Sequence, residues 1–94
     1  MKKINLAISG CMGRMGQQLI KSSKKNKKFK LVALTENKLI NKKFNGIKPE
    51  LNSEKAFKKT DLIIDFTIPD CTIEILKIAA KLKKRVVIGT TGFN

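Results

Sequence analysis

Gly10-Cys11-Met12-Gly13-Arg14-Met15-Gly16 stands between an apolar run, Lys3-Ile4-Asn5-Leu6-Ala7-Ile8, and a stretch with helical periodicity. That placement decides the fold. A backbone that must approach a phosphate pair closely cannot carry a Cβ at the contact, and glycine removes it. A helix starting directly afterwards offers unpaired N–H groups and the positive end of its dipole to the same anion. Gly16 would let that helix lie close on the preceding strand. The spacing is G-x-x-G-x-x-G instead of G-x-G-x-x-G, so the order strand, turn, helix supplies the specificity. A plain glycine-rich turn is the alternative. Arg14, in the first helical turn, would point toward phosphate; its alternative is a solvent-facing helix residue.

Working outward, residues 3–8 read as a strand bounded by Ser9-Gly10. Residues 13–26 read as an amphipathic helix with Met15, Gly16 and Leu19 on the buried face. Residues 30–35 form a second strand. Residues 37–52, polar and irregular with Gly46 and Pro49, suit a surface loop with one short extended piece. Ser53 is a suitable N-cap for a short helix to Lys59, with Ala56 and Phe57 on its buried side. Residues 61–66 are a third strand. Residues 70–84 form a helix with Ile75, Ile78, Ala79 and Leu82 at i, i+3, i+4, i+7 spacing, and Asp70 is placed to cap it. Residues 85–89 form a last strand. The strands are apolar almost throughout, as in a parallel sheet covered on both faces. Strand–helix alternation with right-handed crossovers gives the α/β class, a Rossmann-type doubly wound parallel sheet in incomplete, N-terminal form. Residues 1–94 then make one truncated dinucleotide-binding domain. The stop at Thr90-Thr91-Gly92-Phe93-Asn94, directly after a buried strand, is expected of a longer protein cut short.

Two further places carry chemistry. Glu36 ends the second strand, 20 residues beyond Gly16. An acid there accepts hydrogen bonds from the adenosine ribose hydroxyls of a dinucleotide and repels a 2′-phosphate unless a cation intervenes. An exposed strand-end Glu is the alternative. Gly89, Thr90, Thr91 and Gly92 follow the last strand. Ligands of open α/β sheets bind outside the carboxyl ends of the strands, where these hydroxyls and backbone groups can meet a nicotinamide. Asp65-Phe66-Thr67 ends the third strand on the same edge. Phe66 is either a nicotinamide contact or a core residue, and Asp65, in an apolar run, is read as structural.

Composition excludes several classes. The chain has 94 residues, 41% hydrophobic and 30% charged, which suits one small globular domain. No run nears the roughly 20 apolar residues of a membrane span. The N-terminal run lacks a small-x-small cleavage site, so it reads as a buried strand of a cytoplasmic protein. Cys11 and Cys71 lie far apart in a chain without His, which argues against zinc or a disulfide framework. The net charge of +14 suggests nucleic acid, but it comes from 19 Lys and only 2 Arg, with no Tyr or Trp for stacking. The joint abundance of Lys, Ile and Asn is what A/T-rich codons produce.

Three blocks, Ala7 to Gly16, Ile64-Asp65-Phe66-Thr67 and Val87-Ile88-Gly89-Thr90-Thr91-Gly92-Phe93, together resemble dihydrodipicolinate reductase. Their order and separations match as well, over about the first third of a family member. The resemblance implies reduction of a cyclic dicarboxylate by NADH or NADPH on the diaminopimelate route to lysine, in a full-length protein that is a homotetramer. It implies that Gly10, Cys11, Met12, Gly13, Arg14 and Met15 hold the pyrophosphate, Glu36 the adenosine ribose, and Gly89, Thr90 and Thr91 the nicotinamide side. Asn37 stands where relatives often carry an Arg for the 2′-phosphate; Lys38 is its possible substitute. The family's His- and Lys-bearing acid/base motif has no counterpart in these residues, so by themselves they are not expected to catalyse. Two rivals remain: another dehydrogenase of homoserine or aldose type, and a non-catalytic nucleotide-binding module.

Overall fold

The first strand, β1 (Ile4–Ser9), sits in the middle of a five-stranded parallel sheet of order β3-β2-β1-β4-β5. The computed structural model describes residues 3–10, 13–36, 38, 40–44, 46–67 and 69–89, leaving out the side chain of Pro69. After β1 come α1 (Arg14–Lys25), β2 (Phe29–Glu36), β3 (Glu50–Leu51), α2 (Glu54–Phe57), β4 (Leu62–Asp65), α3 (Pro69–Leu82) and β5 (Arg85–Ile88). The expected element order is found, with ends displaced by one or two residues. The loop holds its short extended piece in β3, and Phe44 and Ile47 add an isolated bridge.

Alternate residues of β1 feed two cores. Leu6 and Ile8 join Leu34 and Ile20 on the α1 face. Ala7 joins Ala33, Phe57, Ile63, Ile75 and Ala79 on the face covered by α2 and α3. Both faces of the central strands are therefore dry, which explains why their sequences run apolar without alternation. Burying Phe57, Ile63 and Ile75 fully stabilises the sheet–helix contact by about 1.5–3 kcal/mol per side chain. In β2 the register slips: Leu6 pairs Leu31, but Ala7 pairs Ala33. The extra residue, Val32, forms a bulge that puts Val32 and Ala33 against the same core.

Three expectations need correction. Met15 is 52% exposed, and the buried stripe of α1 is Gly16, Ile20 and Ser23. Met15 lies one residue, about 100° of helix rotation, before the buried Gly16, so its side chain faces out. Asp70 does not cap α3, because α3 begins at Pro69. Proline suits the first helical position, where its missing N–H would have had no partner, and Asp70 falls inside the first turn. The last strand is not covered on both faces: Val87 is 52% and Ile88 45% exposed on the edge strand β5.

The end of α3 is tight. Lys84 N–H donates to the Ala79 carbonyl at 2.8 Å and Lys83 N–H to Ala80 at 3.3 Å, the paired bonds of a Schellman motif. That motif needs a left-handed residue, and Lys83 takes it at φ 58°. Left-handed backbone costs a side-chain-bearing residue about 1–2 kcal/mol, partly offset by the greater freedom glycine has when unfolded. Lys83→Gly is therefore expected to raise the unfolding free energy by about 0.5–1 kcal/mol. Urea melts of both chains check this; a less stable variant would show that the lysine side chain contributes more than its backbone strain costs.

Candidate dinucleotide site

The sheet order places a crevice. From β1 the chain winds outward through α1 to β2 and β3, then crosses back through α2 to β4 on the other side of β1. Connections from β1 and β4 thus leave in opposite directions, and the gap opens at their carboxyl ends. Gly13, Arg14, Met15 and Gly16 form one wall; Phe66, Thr67 and Gly89 form the other, around a cavity of about 240 Å³. A larger cavity, about 450 Å³, lies at the amino ends among Lys3, Ile4, Asp61, Leu62, Lys83, Lys84 and Arg85. Topology, not size, favours the smaller one, because glycine turns and helix starts face only the carboxyl edge.

The floor of the crevice is stitched by backbone bonds that continue the ladders beyond the strands. Gly10 N–H donates to Thr35 at 2.9 Å, Phe66 N–H to Ser9 at 3.0 Å, and Gly89 N–H to Asp65 at 2.8 Å. The glycines have separate tasks. Gly10 has φ +81°, and a Cβ on it would lie 2.7 Å from the Phe66 carbonyl oxygen. A Cβ on Gly89 would run into the Phe66 ring. Gly13 is different: its Cβ would meet only the Gly10 carbonyl oxygen, at 3.5 Å, and the residue is exposed. Two glycines are thus required by protein packing, while Gly13 leaves open space in front of α1.

The start of α1 has the features that suit an anion. Gly13 occupies the N-cap position with no side-chain capping bond, and no acidic residue stands in the first turn. The first-turn N–H groups have no intrahelical acceptor, and the helix dipole makes that end positive. The contrast with α2 is informative. There Ser53 Oγ accepts from Ala56 N–H at 3.1 Å, and Glu54 complements the dipole. Arg14 adds a cation beside the uncapped end.

Asp65 has the structural task expected of it. Its Oδ1 accepts from Thr67 N–H at 2.9 Å and from Thr67 Oγ1 at 2.6 Å, and Thr67 Oγ1 lies 3.3 Å from Thr72 Oγ1. This turn holds Phe66 half-buried over Gly89, between the two roles foreseen for it. Glu36 is half-buried at the end of β2 and lines a second cavity with Leu51, Asn52, Cys71 and Glu74. Ser9 Oγ donates to Asn52 Oδ1 at 2.9 Å, tying that cavity to the end of β1. Burial and the neighbouring carboxylates push the Cys71 thiol up, which keeps it protonated at neutral pH. Cys71 is a free, half-buried thiol. Cys11, Met12, Asn37, Thr90 and Thr91 lie outside the described residues. Thr67 was quoted from the sequence without a role, although the Asp-x-Thr pattern of an Asx turn signals one. Asn52, Thr72 and Glu74 had no such signal.

A profile of the dihydrodipicolinate reductase N-terminus matches residues 4–94. The chain belongs to the dihydrodipicolinate reductase family. It is 79% identical over 94 residues to the 4-hydroxy-tetrahydrodipicolinate reductase of Pelagibacter ubique (strain HTCC1062), covering all of this chain and 36% of that protein. The enzyme of the same name from Buchnera aphidicola subsp. Cinara cedri is 43% identical over 98% of this chain and 38% of its own length. Among solved structures, dipicolinate-bound dihydrodipicolinate reductase from Paenisporosarcina sp. TG-14 superposes with a TM-score of 0.79 at 28% identity, over 99% of this chain and 39% of that one. The chain thus spans little more than a third of the relatives it matches. Family membership removes the homoserine- and aldose-type rivals. Among the described residues no helix is long and apolar enough to cross a membrane, and no metal-holding group of His, Cys, Asp or Glu occurs.

Gly13→Ala is expected to leave the thermal melt nearly unchanged and to weaken dinucleotide binding by about tenfold or more, because its methyl projects into open space before the helix start. Gly10→Ala is expected to lose more than about 2 kcal/mol of stability from left-handed strain and the clash with Phe66. Calorimetry with a parallel NADH titration checks both. Equal loss of stability in the two variants would erase the division of labour.

Proposed function

We propose that this chain is the cofactor-binding domain of a 4-hydroxy-tetrahydrodipicolinate reductase and that its crevice holds NADH or NADPH. The observation that carries the reading is the uncapped, acid-free start of α1, opened by Gly13 at the point where the chain reverses direction across the sheet. The pyrophosphate would lie there, with Gly10 to Met15 giving backbone N–H groups and Arg14 a cation. Glu36 would accept from the adenosine ribose hydroxyls. Gly89, Thr90 and Thr91 would border the nicotinamide, with the Phe66 ring shielding its side of the crevice. The bound nicotinamide supplies hydride to the cyclic dicarboxylate substrate. The substrate-binding and acid/base groups would lie in the remaining two thirds of the relatives' length, and the full-length protein would be a cytoplasmic homotetramer.

The chain has no Trp or Tyr, so NADH fluorescence can be followed without overlap from the protein. Saturable binding of NADH or NADPH is expected, weakened about five- to tenfold by Arg14→Ala. A folded chain that binds neither nucleotide, but binds DNA with strong salt dependence, would overturn the reading.

A further inference from the structure

The chain carries 21 basic residues and only seven acidic ones, yet four of the seven gather at one end of the crevice. Glu36 closes β2, Asp65 closes β4, and Asp70 and Glu74 stand on the first turns of α3. Glu36 and Glu74 line the same cavity of about 300 Å³, together with Leu51, Asn52 and Cys71. No Lys or Arg is among those lining residues. Lys38, two positions beyond Glu36, is exposed to solvent and is not part of the lining. The Cys71 thiol senses the local field: after burial, the carboxylates of Glu74, Asp65, Asp70 and Glu36 all raise it.

We propose that Glu74, acting with Glu36, makes the adenosine end of this site select the dinucleotide without a 2′-phosphate, NADH, over NADPH. The proposal rests on the dinucleotide reading above. A ribose with both hydroxyls free can donate to the Glu36 carboxylate. A 2′-phosphate can only accept, and it carries about −1.5 to −2 charge at neutral pH. Glu36 is half-buried and Glu74 exposed, so both act on a dianion in that cavity through a field that salt screens over roughly 8 Å at physiological ionic strength. Glu36 has two effects, a hydrogen bond to the ribose and a charge. Glu74 comes from another element, α3, so its charge can be removed with Glu36 left in place, which separates selectivity from binding.

The test titrates NADH and NADPH into the wild-type chain, Glu74→Gln and Glu74→Lys, each at low and high salt. The wild type is expected to bind NADH at least about tenfold more tightly. Glu74→Gln should narrow the ratio about threefold and Glu74→Lys further, through tighter NADPH binding, with NADH affinity held within about twofold. High salt should narrow the wild-type ratio too. Wild-type binding of NADPH as tight as NADH, or a ratio unmoved by both substitutions, overturns the proposal while leaving the dinucleotide site standing. Binding of neither nucleotide overturns the site and the proposal together.

Discussion

The contact between Gly10 and the Phe66 carbonyl governs the geometry of the carboxyl edge. It brings the turn after β1 within van der Waals distance of the turn after β4. Only a residue without a Cβ, and tolerant of positive φ, can stand there. Once it does, Ser9 receives the Phe66 N–H, Thr35 receives the Gly10 N–H, and the ends of β2, β1 and β4 become one fixed floor. The Asp65–Thr67 turn then sets Phe66 against Gly89 and extends that floor to β5. The crevice is thus a consequence of backbone packing. To this floor α1 adds a positive helix start whose first turn has neither side-chain cap nor acid.

This separates two meanings of one glycine motif. Read from sequence, Gly16 belongs to helix–strand packing, and Gly10 and Gly13 together form a phosphate-binding pair. In the fold, Gly10 answers to the protein, Gly16 lies on the buried face of α1, and Gly13 faces the open cavity. The tasks of Gly10 and Gly13 favour the same residue type, so sequence alone could not divide those two. The elements themselves were legible because each follows from a local rule: apolar runs between turn residues for the strands, i, i+3, i+4 spacing for α3, a serine cap for α2. What escaped were features set by neighbours in space. The Val32 bulge depends on how β2 meets β1, and no residue near it is unusual for a strand. Met15 was misplaced because it stands about 100° round the helix from Gly16, at the rim of the buried stripe, where a long apolar side chain reads as buried. Asp70 was misread because Pro69 can open a helix as well as precede one.

The charge distribution follows the same logic. Composition describes a strongly basic chain, and taken as a whole that charge favours any anion. Most of the lysines are solvated and screened, which leaves them little say over a partly enclosed cavity. The field inside the crevice is set by the few groups that line it: an uncapped helix start and Arg14 at the β1 side, Glu36 and Glu74 at the β2 side. A ligand spanning both cavities must place its anionic centre at the first and an uncharged, donor-rich group at the second. A dinucleotide has this polarity, with a pyrophosphate flanked by ribose hydroxyls. A polynucleotide does not, since its charge repeats along the strand and would bring phosphates to the carboxylates. The sign pattern within the crevice, more than the net charge, therefore favours a dinucleotide over a polynucleotide.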